Sequence, residues 1–466
     1  MKKDYPTLLA SRFVRISRLI SFATRASSMG LSKTFLWGFF LGNLPLLQAS
    51  QDVPEIQVNH FEPKPLVIRI GDLPPPFATP SAEKPFQKAP LPSKPTLNLP
   101  PGFTVTVFAK GFQSPRWLAQ APDGSVLVVE SYGNRIWRIP DPQRSSLPAS
   151  SELFATEANG LRIPFGVVFV RGWCYVACED RLLRFPYRPG QSTLSGEGQI
   201  LAWFPGGGHS TRSLAASKDG KSLFVGIGSW GNVGIEPAPR ACILRMNLDG
   251  KHPKVFASGM RNPVGLAIEP KTGDLYAVVN ERDGLGDDLV PDYLARVHEG
   301  DFYGWPYAYL SPSLLDPRIR LDNPKILRLI ARTRTPEILF HAHSAPLGLV
   351  FLPKETTFPS PYRHGAFVTL HGSWNRSVAT GYKIVFVPFS SDGRPYGFYQ
   401  DFLTGFLLDP SIPLTWGRPV GLLALLKGGL LFCDELHGIV YKVDYVGPEE
   451  TGQKIALDLP EKVRKE

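Results

Sequence analysis

One short pattern returns six times from residue 99 onward, and it restricts the fold more than any other feature of this chain. Each copy begins at a proline or threonine, runs through a short apolar strand, turns, and comes back as a second strand. The starts are Pro115 (PRWLAQAPDG), Pro164 (PFGVVFV), Thr211 (TRSLAASKDG), Pro263 (PVGLAIEPKTGD), Pro346 (PLGLVFL) and Pro419 (PVGLLALLKGG). They are spaced by 49, 47, 52, 83 and 73 residues. The approach repeats too: 107–115 reads VFAKGFQSP and 255–263 reads VFASGMRNP. Third strands recur as RIWRI at 135–139, RLLRF at 181–185 and IVYKV at 439–443. A unit of about 50 residues made of short strands cannot bury both faces of its own sheet, but a ring of such units can, because each packs on its neighbours. The expected fold is therefore all-β, a six-bladed β-propeller over residues 99–446. The strand at 104–108 precedes the first start, so it is expected to pair with the last blade near 439–443 and close the ring. A β-sandwich, the alternative all-β layout, has no need of a repeated start.

The flanks read differently. Residues 1–50 carry an export signal: Lys33, the apolar run TFLWGFFLGNLPLL, then Gln48, Ala49 and Ser50 as a small-residue cleavage region. Met29 is the alternative start, and an uncleaved membrane anchor the alternative reading. The expected location is periplasmic, or otherwise exported. Residues 51–98 are rich in proline, including Pro74, Pro75 and Pro76. Proline fixes φ and cannot donate to a ladder, so this is an extended segment lying on a surface or linking, with no core of its own. Residues 447–466 form a polar tail.

The net charge is +10, but lysine and arginine are scattered and no basic run is interleaved with aromatics. No nucleic-acid partner is expected. Cys174 and Cys178 lie about 13 Å apart if they share one strand, too far to bridge. With Cys242 and Cys433 in strand-like surroundings, buried thiols are expected.

The repeat also locates chemistry. Two residues before each start stand Gln113, Arg162, His209, Arg261, Ser344 and Gly417. In a propeller these places ring one mouth of the central channel. With Asn262, His343 and Arg418 beside them, they describe a polar pocket for an anionic ligand. His209, in GGGHSTR, is the best general-base candidate, since imidazole titrates near neutrality and the glycines leave room for a ligand. Its bland reading is a structural histidine. Arg261, Arg418 and Arg162 can clamp carboxylates, or simply bridge blades by ion pairs. The loop 280–288 (NERDGLGDD) offers oxygen ligands suited to Ca²⁺ rather than Zn²⁺, or is only a polar turn.

Several of these motifs, HSTRSL at 209–214, RNPVGL at 261–266, NERDG at 280–284, YGWP at 303–306, HSAP at 343–346, HGSWNR at 371–376 and GRPVG at 417–421, resemble the soluble glucose/sorbosone dehydrogenase family, most closely its L-sorbosone branch. The resemblance runs from about residue 73 to 445. It implies a six-bladed propeller that uses pyrroloquinoline quinone (PQQ) and Ca²⁺. It also implies His209 as the base taking the substrate hydroxyl proton and Arg261 over the quinone. Asn262 and Arg418 would bind PQQ, and the backbone of Arg282 and Asp283 would hold Ca²⁺, with Asp288 orienting neighbours. The family's lysine and glutamine are not found; Arg376, and Arg162 or Gln113, are the nearby substitutes. The expected activity is oxidation of a sugar or sugar aldehyde, with electrons passed to a separate periplasmic acceptor, a cytochrome c or the quinone pool. The other class is a non-redox propeller, either a binding or scaffold protein or a Ca²⁺-dependent lactonase-like hydrolase.

Overall fold

The computed structural model describes residues 54–140, 148–426 and 428–448. The export-signal segment 1–50 and the tail beyond residue 448 lie outside the described residues. Six sheets, each with four antiparallel strands at its centre, follow the six starts; the third adds Asp301–Phe302 in parallel and the fifth adds Pro65–Leu66. The first is built from Trp117–Gln120, Val126–Glu130, Arg135–Ile139 and Glu152–Ala155. The second holds Pro164–Val170, Trp173–Cys178, Arg181–Pro186 and Gln199–Trp203. The third holds Leu214–Ala216, Ser222–Ile227, Cys242–Asn247 and Lys254–Ser258, the fourth Asn262–Ile268, Leu275–Asn280, Pro291–Val297 and Ile338–Ala342. The fifth holds Pro346–Phe351, Gly365–Leu370, Lys383–Pro388 and Tyr399–Leu403. The sixth takes Pro419–Ala424, Leu430–Asp434 and Ile439–Tyr445 from the end of the chain. Its fourth strand is Phe103–Lys110, paired from Ile439↔Lys110 to Tyr445↔Phe103, the pairing expected from the strand that precedes the first start. Pro115 and Thr211 stand just before their first strands rather than on them.

The glycine shared by the start motifs has a packing reason. A Cβ at Gly166 would lie 2.5 Å from the Leu214 nitrogen, at Gly265 2.6 Å from the Leu347 carbonyl, and at Gly348 2.6 Å from the Val420 carbonyl. At Gly421 it would lie 2.9 Å from the Trp117 Cα, so the last sheet presses on the first. Four of the six innermost strands thus meet the next with no room for a side chain at the glycine. The second strands VLVVE, SLFVGI, GAFVTL and LLFCD are buried along their whole length, because neighbouring sheets cover both faces. The outer strand Gln199–Trp203 is largely exposed.

Register decides where loops gather. Asn262 pairs with Asn280, Pro346 with Leu370, and Pro419 with Asp434. The entry to each first strand is therefore beside the exit of the second, and both loop sets lie on one face, here called the entry face.

The proline-rich segment has no core of its own, but it is not a loose linker. Leu97 and Leu99 are fully buried in a cluster with Phe103, Phe402 and Phe406. Residues 77–88 form a strap over the exit loops of the last three sheets. The Phe77 N–H donates to the Leu285 carbonyl, the Lys84 N–H to the Trp374 carbonyl, and Lys88 Nζ to the Leu436 carbonyl. All four cysteines are buried free thiols, as expected. Among the described residues, no helix is long and apolar enough to cross a membrane.

Candidate functional site

A cavity of about 360 Å³ opens on the entry face. Its lining joins His209, Arg261, Asn262, Asp283, His343 and Arg418, named from the repeat and the motifs, to Arg116, Asn280, Glu281, His371, Trp374 and Asn375. Of the second set, Asn280, Glu281, His371, Trp374 and Asn375 lie in the motifs NERDG and HGSWNR but had no assigned place in the cavity; most of them leave second strands, and only the antiparallel register brings those exits beside the entries.

Five expected residues lie elsewhere. Gln113 accepts from Arg135 at 2.7 Å and donates its own N–H to Glu130. Arg162 is 64% exposed and reaches Asp180 at 3.5 Å. Arg376 faces away, bound to Asp288 at 2.6 Å and to the Asp287 carbonyl. Asp288 is thus half of that exposed pair. Arg282 is fully buried behind the cavity, on Glu281 at 2.9 Å and Asp316 at 3.2 Å. Every one of these side chains is drawn off by a neighbouring group of opposite charge or by a local hydrogen bond.

His209 Nδ1 lies 2.8 Å from the Ser229 carbonyl and 3.1 Å from Ser229 Oγ. A carbonyl only accepts, so Nδ1 carries the proton and Nε2 keeps its lone pair. Among the described residues no hydrogen bond engages Nε2. Burial, and then the Arg261 charge, push the His209 pKa down to about 4. The ring is a neutral base at physiological pH, with its tautomer fixed.

Arg261 Nη2 donates to Asp283 at 3.1 Å, and its Nε to the Asn232 carbonyl at 3.3 Å. Asn375 donates to the other Asp283 oxygen at 2.6 Å and to His343 Nδ1 at 3.0 Å. Burial opposes the Asp283 charge, but His343 and Arg261 prevail and hold its carboxyl below the usual range. The Asn232 side chain clips the Asp283 backbone on both sides, accepting its N–H at 2.8 Å and donating to its carbonyl at 2.9 Å. Asn232 carries no repeat signal and was invisible in the sequence.

The opposite wall is a second cluster. Glu435 takes Arg418 at 2.9 Å, His371 Nε2 at 2.7 Å, and Arg116 in a close ion pair. Two guanidiniums on one carboxylate leave a surplus positive charge. Burial would raise the Glu435 pKa, yet these partners hold it far below the usual range. Burial and Arg418 depress His371 to about 4, so it stays neutral, donating to Glu435 and accepting from Arg418 Nη2 at 3.0 Å. Arg418 lies 4.2 Å from the Phe86 ring of the strap and 5.9 Å from the Tyr382 ring.

Calcium on the Asp283 carbonyl does not fit. The Asp283 carbonyl already accepts from Asn232 and from Arg318 Nη1, the latter at 2.7 Å, so both its lone pairs are taken. Among the described residues no group of three or more His, Cys, Asp or Glu side chains is placed to hold a metal.

A family model described as TrAA12-like matches residues 97–299 and 330–424. An uncharacterized protein of Borreliella burgdorferi is 30% identical over 364 residues, covering 75% of this chain and 91% of that protein. The pyrroloquinoline quinone-dependent pyranose dehydrogenase of Coprinopsis cinerea is 25% identical over 349 residues, 64% of this chain but 46% of that protein. A Trichoderma reesei carbohydrate-active enzyme of family AA12 has a solved structure similar at a TM-score of 0.63 and 20% identity, over 74% of this chain and 97% of that one. The PQQ domain of the Coprinopsis cinerea pyranose dehydrogenase is similar at 0.62 and 21% identity, over 75% and 97%. These likenesses fix the fold as β-propeller-like.

Proposed function

The chain belongs to the TrAA12-like family, and from that premise we propose that it is a PQQ-dependent oxidoreductase acting on a sugar or sugar aldehyde. In this reading the six sheets close as a six-bladed propeller, and the cavity on the entry face holds the cofactor and the substrate. The relative that supports the activity names PQQ and a pyranose, and belongs to a protein of which this chain spans about half.

The donor set suits a flat polyanion. Arg116 and Arg418 supply surplus positive charge on one wall, and Arg261 stands on the other. Asn262 Oδ1 and Arg116 Nε are buried without a partner, and each gains one from a bound polar molecule. Asn262, Arg418 and Arg116 would hold PQQ, which when bound supplies an acceptor for two electrons and a proton. Gln113, Arg162 and Arg376 lie outside the cavity and are left out of the reading.

His209 carries the proposal. A neutral imidazole with one nitrogen fixed as donor has the other open to take a hydroxyl proton. Arg261 beside it discourages a second charge on the ring and favours negative charge developing nearby. The cation-lined walls favour an anionic ligand over a plain scaffold role for this face. Export to the periplasm, with a separate electron acceptor, completes the reading and rests on the sequence of residues 1–50.

The test is dye reduction by the purified protein with PQQ over a panel of pyranoses and sugar aldehydes, sorbosone included. Turnover with some member of the panel is expected. His209→Ala is expected to lose about 10²–10⁴-fold in kcat while still binding PQQ. Equal turnover in His209→Ala removes His209 from the chemistry.

A further inference from the structure

The repeat spacing of 83 residues that begins at Pro263 includes a stretch that the family match skips, residues 300–329. That stretch delivers Asp316 and Arg318 to the loop 281–288. Arg318 grips Asp316 with two bonds, Nε at 2.9 Å and Nη2 at 2.8 Å. Asp316 is fully buried and also takes Arg282. The free edge of the Arg318 guanidinium meets the Asp283 carbonyl at 2.7 Å. It passes so close to residue 284 that a Cβ there would lie 3.1 Å from Nη1, and Gly284 has φ +88°, a backbone conformation that favours glycine.

Most of the acid oxygens of this loop have partners as well. Glu281 Oε2 is paired with Arg282 while its Oε1 is buried without a partner, Asp283 is paired with Arg261 and Asp288 with Arg376, and Asp287 accepts the N–H and hydroxyl of Ser377. A calcium ion asks for six to eight oxygens, and a carbonyl whose lone pairs both receive N–H donors is not one of them.

We propose that Arg318 is the cation of this loop: it holds the Asp283 backbone in place, and with it the Arg261–Asp283 pair in the cavity, so that the site assembles without a divalent metal. Arg318 does not line the cavity and is a positioning residue. The inference concerns the same site as the proposed function but follows from the loop itself, whatever ligand fills the cavity.

The experiment uses the full-length protein freed of metal by chelation. Thermal melts are recorded in chelator and in millimolar calcium, and calcium is titrated calorimetrically with and without PQQ. The wild type is expected to melt at one temperature in both buffers and to give no saturable heat. Arg318→Ala is expected to melt lower and to weaken PQQ binding about tenfold, with Arg318→Lys in between, since lysine lacks the two-pronged grip on Asp316. Stoichiometric calcium binding to the wild type, with or without PQQ, overturns the proposal. So does an Arg318→Ala protein with wild-type melting and binding. If Arg318→Ala does not fold, the wild-type calcium arm decides alone. If the wild type binds no PQQ, the function reading fails, while the melts and the calcium titration still decide this one.

Discussion

Arg162 and Arg261 occupy the same place in two copies of one repeat, two residues before the start of a first strand, and the structure treats them in opposite ways. Arg162, at the second sheet, is mostly exposed and rests on Asp180. Arg261, at the fourth, has a side chain only 9% exposed, bonded to Asp283 and the Asn232 carbonyl inside the cavity. The second sheet has a spacing of 47 residues and nothing lies over its mouth in the hydrogen-bond pattern of the strap. The fourth has a spacing of 83 residues, an insert behind its loop, and the strap on its exit at Leu285. The repeat fixes which residues reach the entry face. What is added between and around the repeats decides which of them are buried, paired and usable.

Three predictions press on that contrast. The largest effect is expected from Arg261→Ala, with about 10²–10³-fold lower turnover, the size seen when a charge-stabilising donor is removed. Arg162→Ala is expected to stay within about twofold, as for an exposed ion pair. Kinetics of the two variants side by side make the check, and equal losses would erase the distinction between the two mouths.

The second prediction is a pH profile. His209 works only when neutral, and with a pKa near 4 it is neutral at all higher pH. The acid limb of activity is therefore expected near pH 4 in the wild type, not near the ordinary histidine value of about 6.5. Arg261→Ala removes the second of the three depressing causes and leaves burial and the Arg212 charge, so the limb moves up without reaching the ordinary value. Arg162→Ala leaves it in place. A wild-type limb near 6.5 would assign the base to a different group.

The smallest effect concerns the strap. Phe86→Ala removes the ring over Arg418 and is expected to weaken PQQ binding about two- to fivefold, the worth of one cation–π contact. Phe86→Tyr keeps the ring and is expected to restore binding. Isothermal titration separates the three proteins, and a loss that Tyr does not restore would mean that the strap acts by bulk alone.

The sequence made the sheets legible because their inner strands must approach backbone to backbone. That demand writes a glycine into the start motifs at Gly166, Gly265, Gly348 and Gly421, and the pattern can be counted. It made half of the cavity legible for the same reason, since His209, Arg261 and Arg418 stand at fixed distances from those starts. Glu435 was hidden, and His371 and Glu281 stood in recognised motifs without a place in the cavity, because all three follow second strands and their arrival at the same face depends on register. Arg116 was hidden one residue inside its start. Asn232 and Arg318 sit in loops with no counterpart in the other repeats, so only the folded chain shows that both converge on the Asp283 backbone. The loop 280–288 is read differently for a related reason: its oxygens are plain in the sequence, while three of the four arginines that bond them, Arg261, Arg318 and Arg376, come from elsewhere in the chain.

The measurement closest to the central claim is equilibrium binding of PQQ to the wild type, Arg162→Ala and Arg261→Ala, followed by cofactor absorbance in the presence of chelator. Saturable binding by the wild type and by Arg162→Ala, with clear weakening in Arg261→Ala, is the predicted result. No binding by the wild type, or the same weakening in both variants, would contradict a cofactor cavity set between the third and sixth sheets.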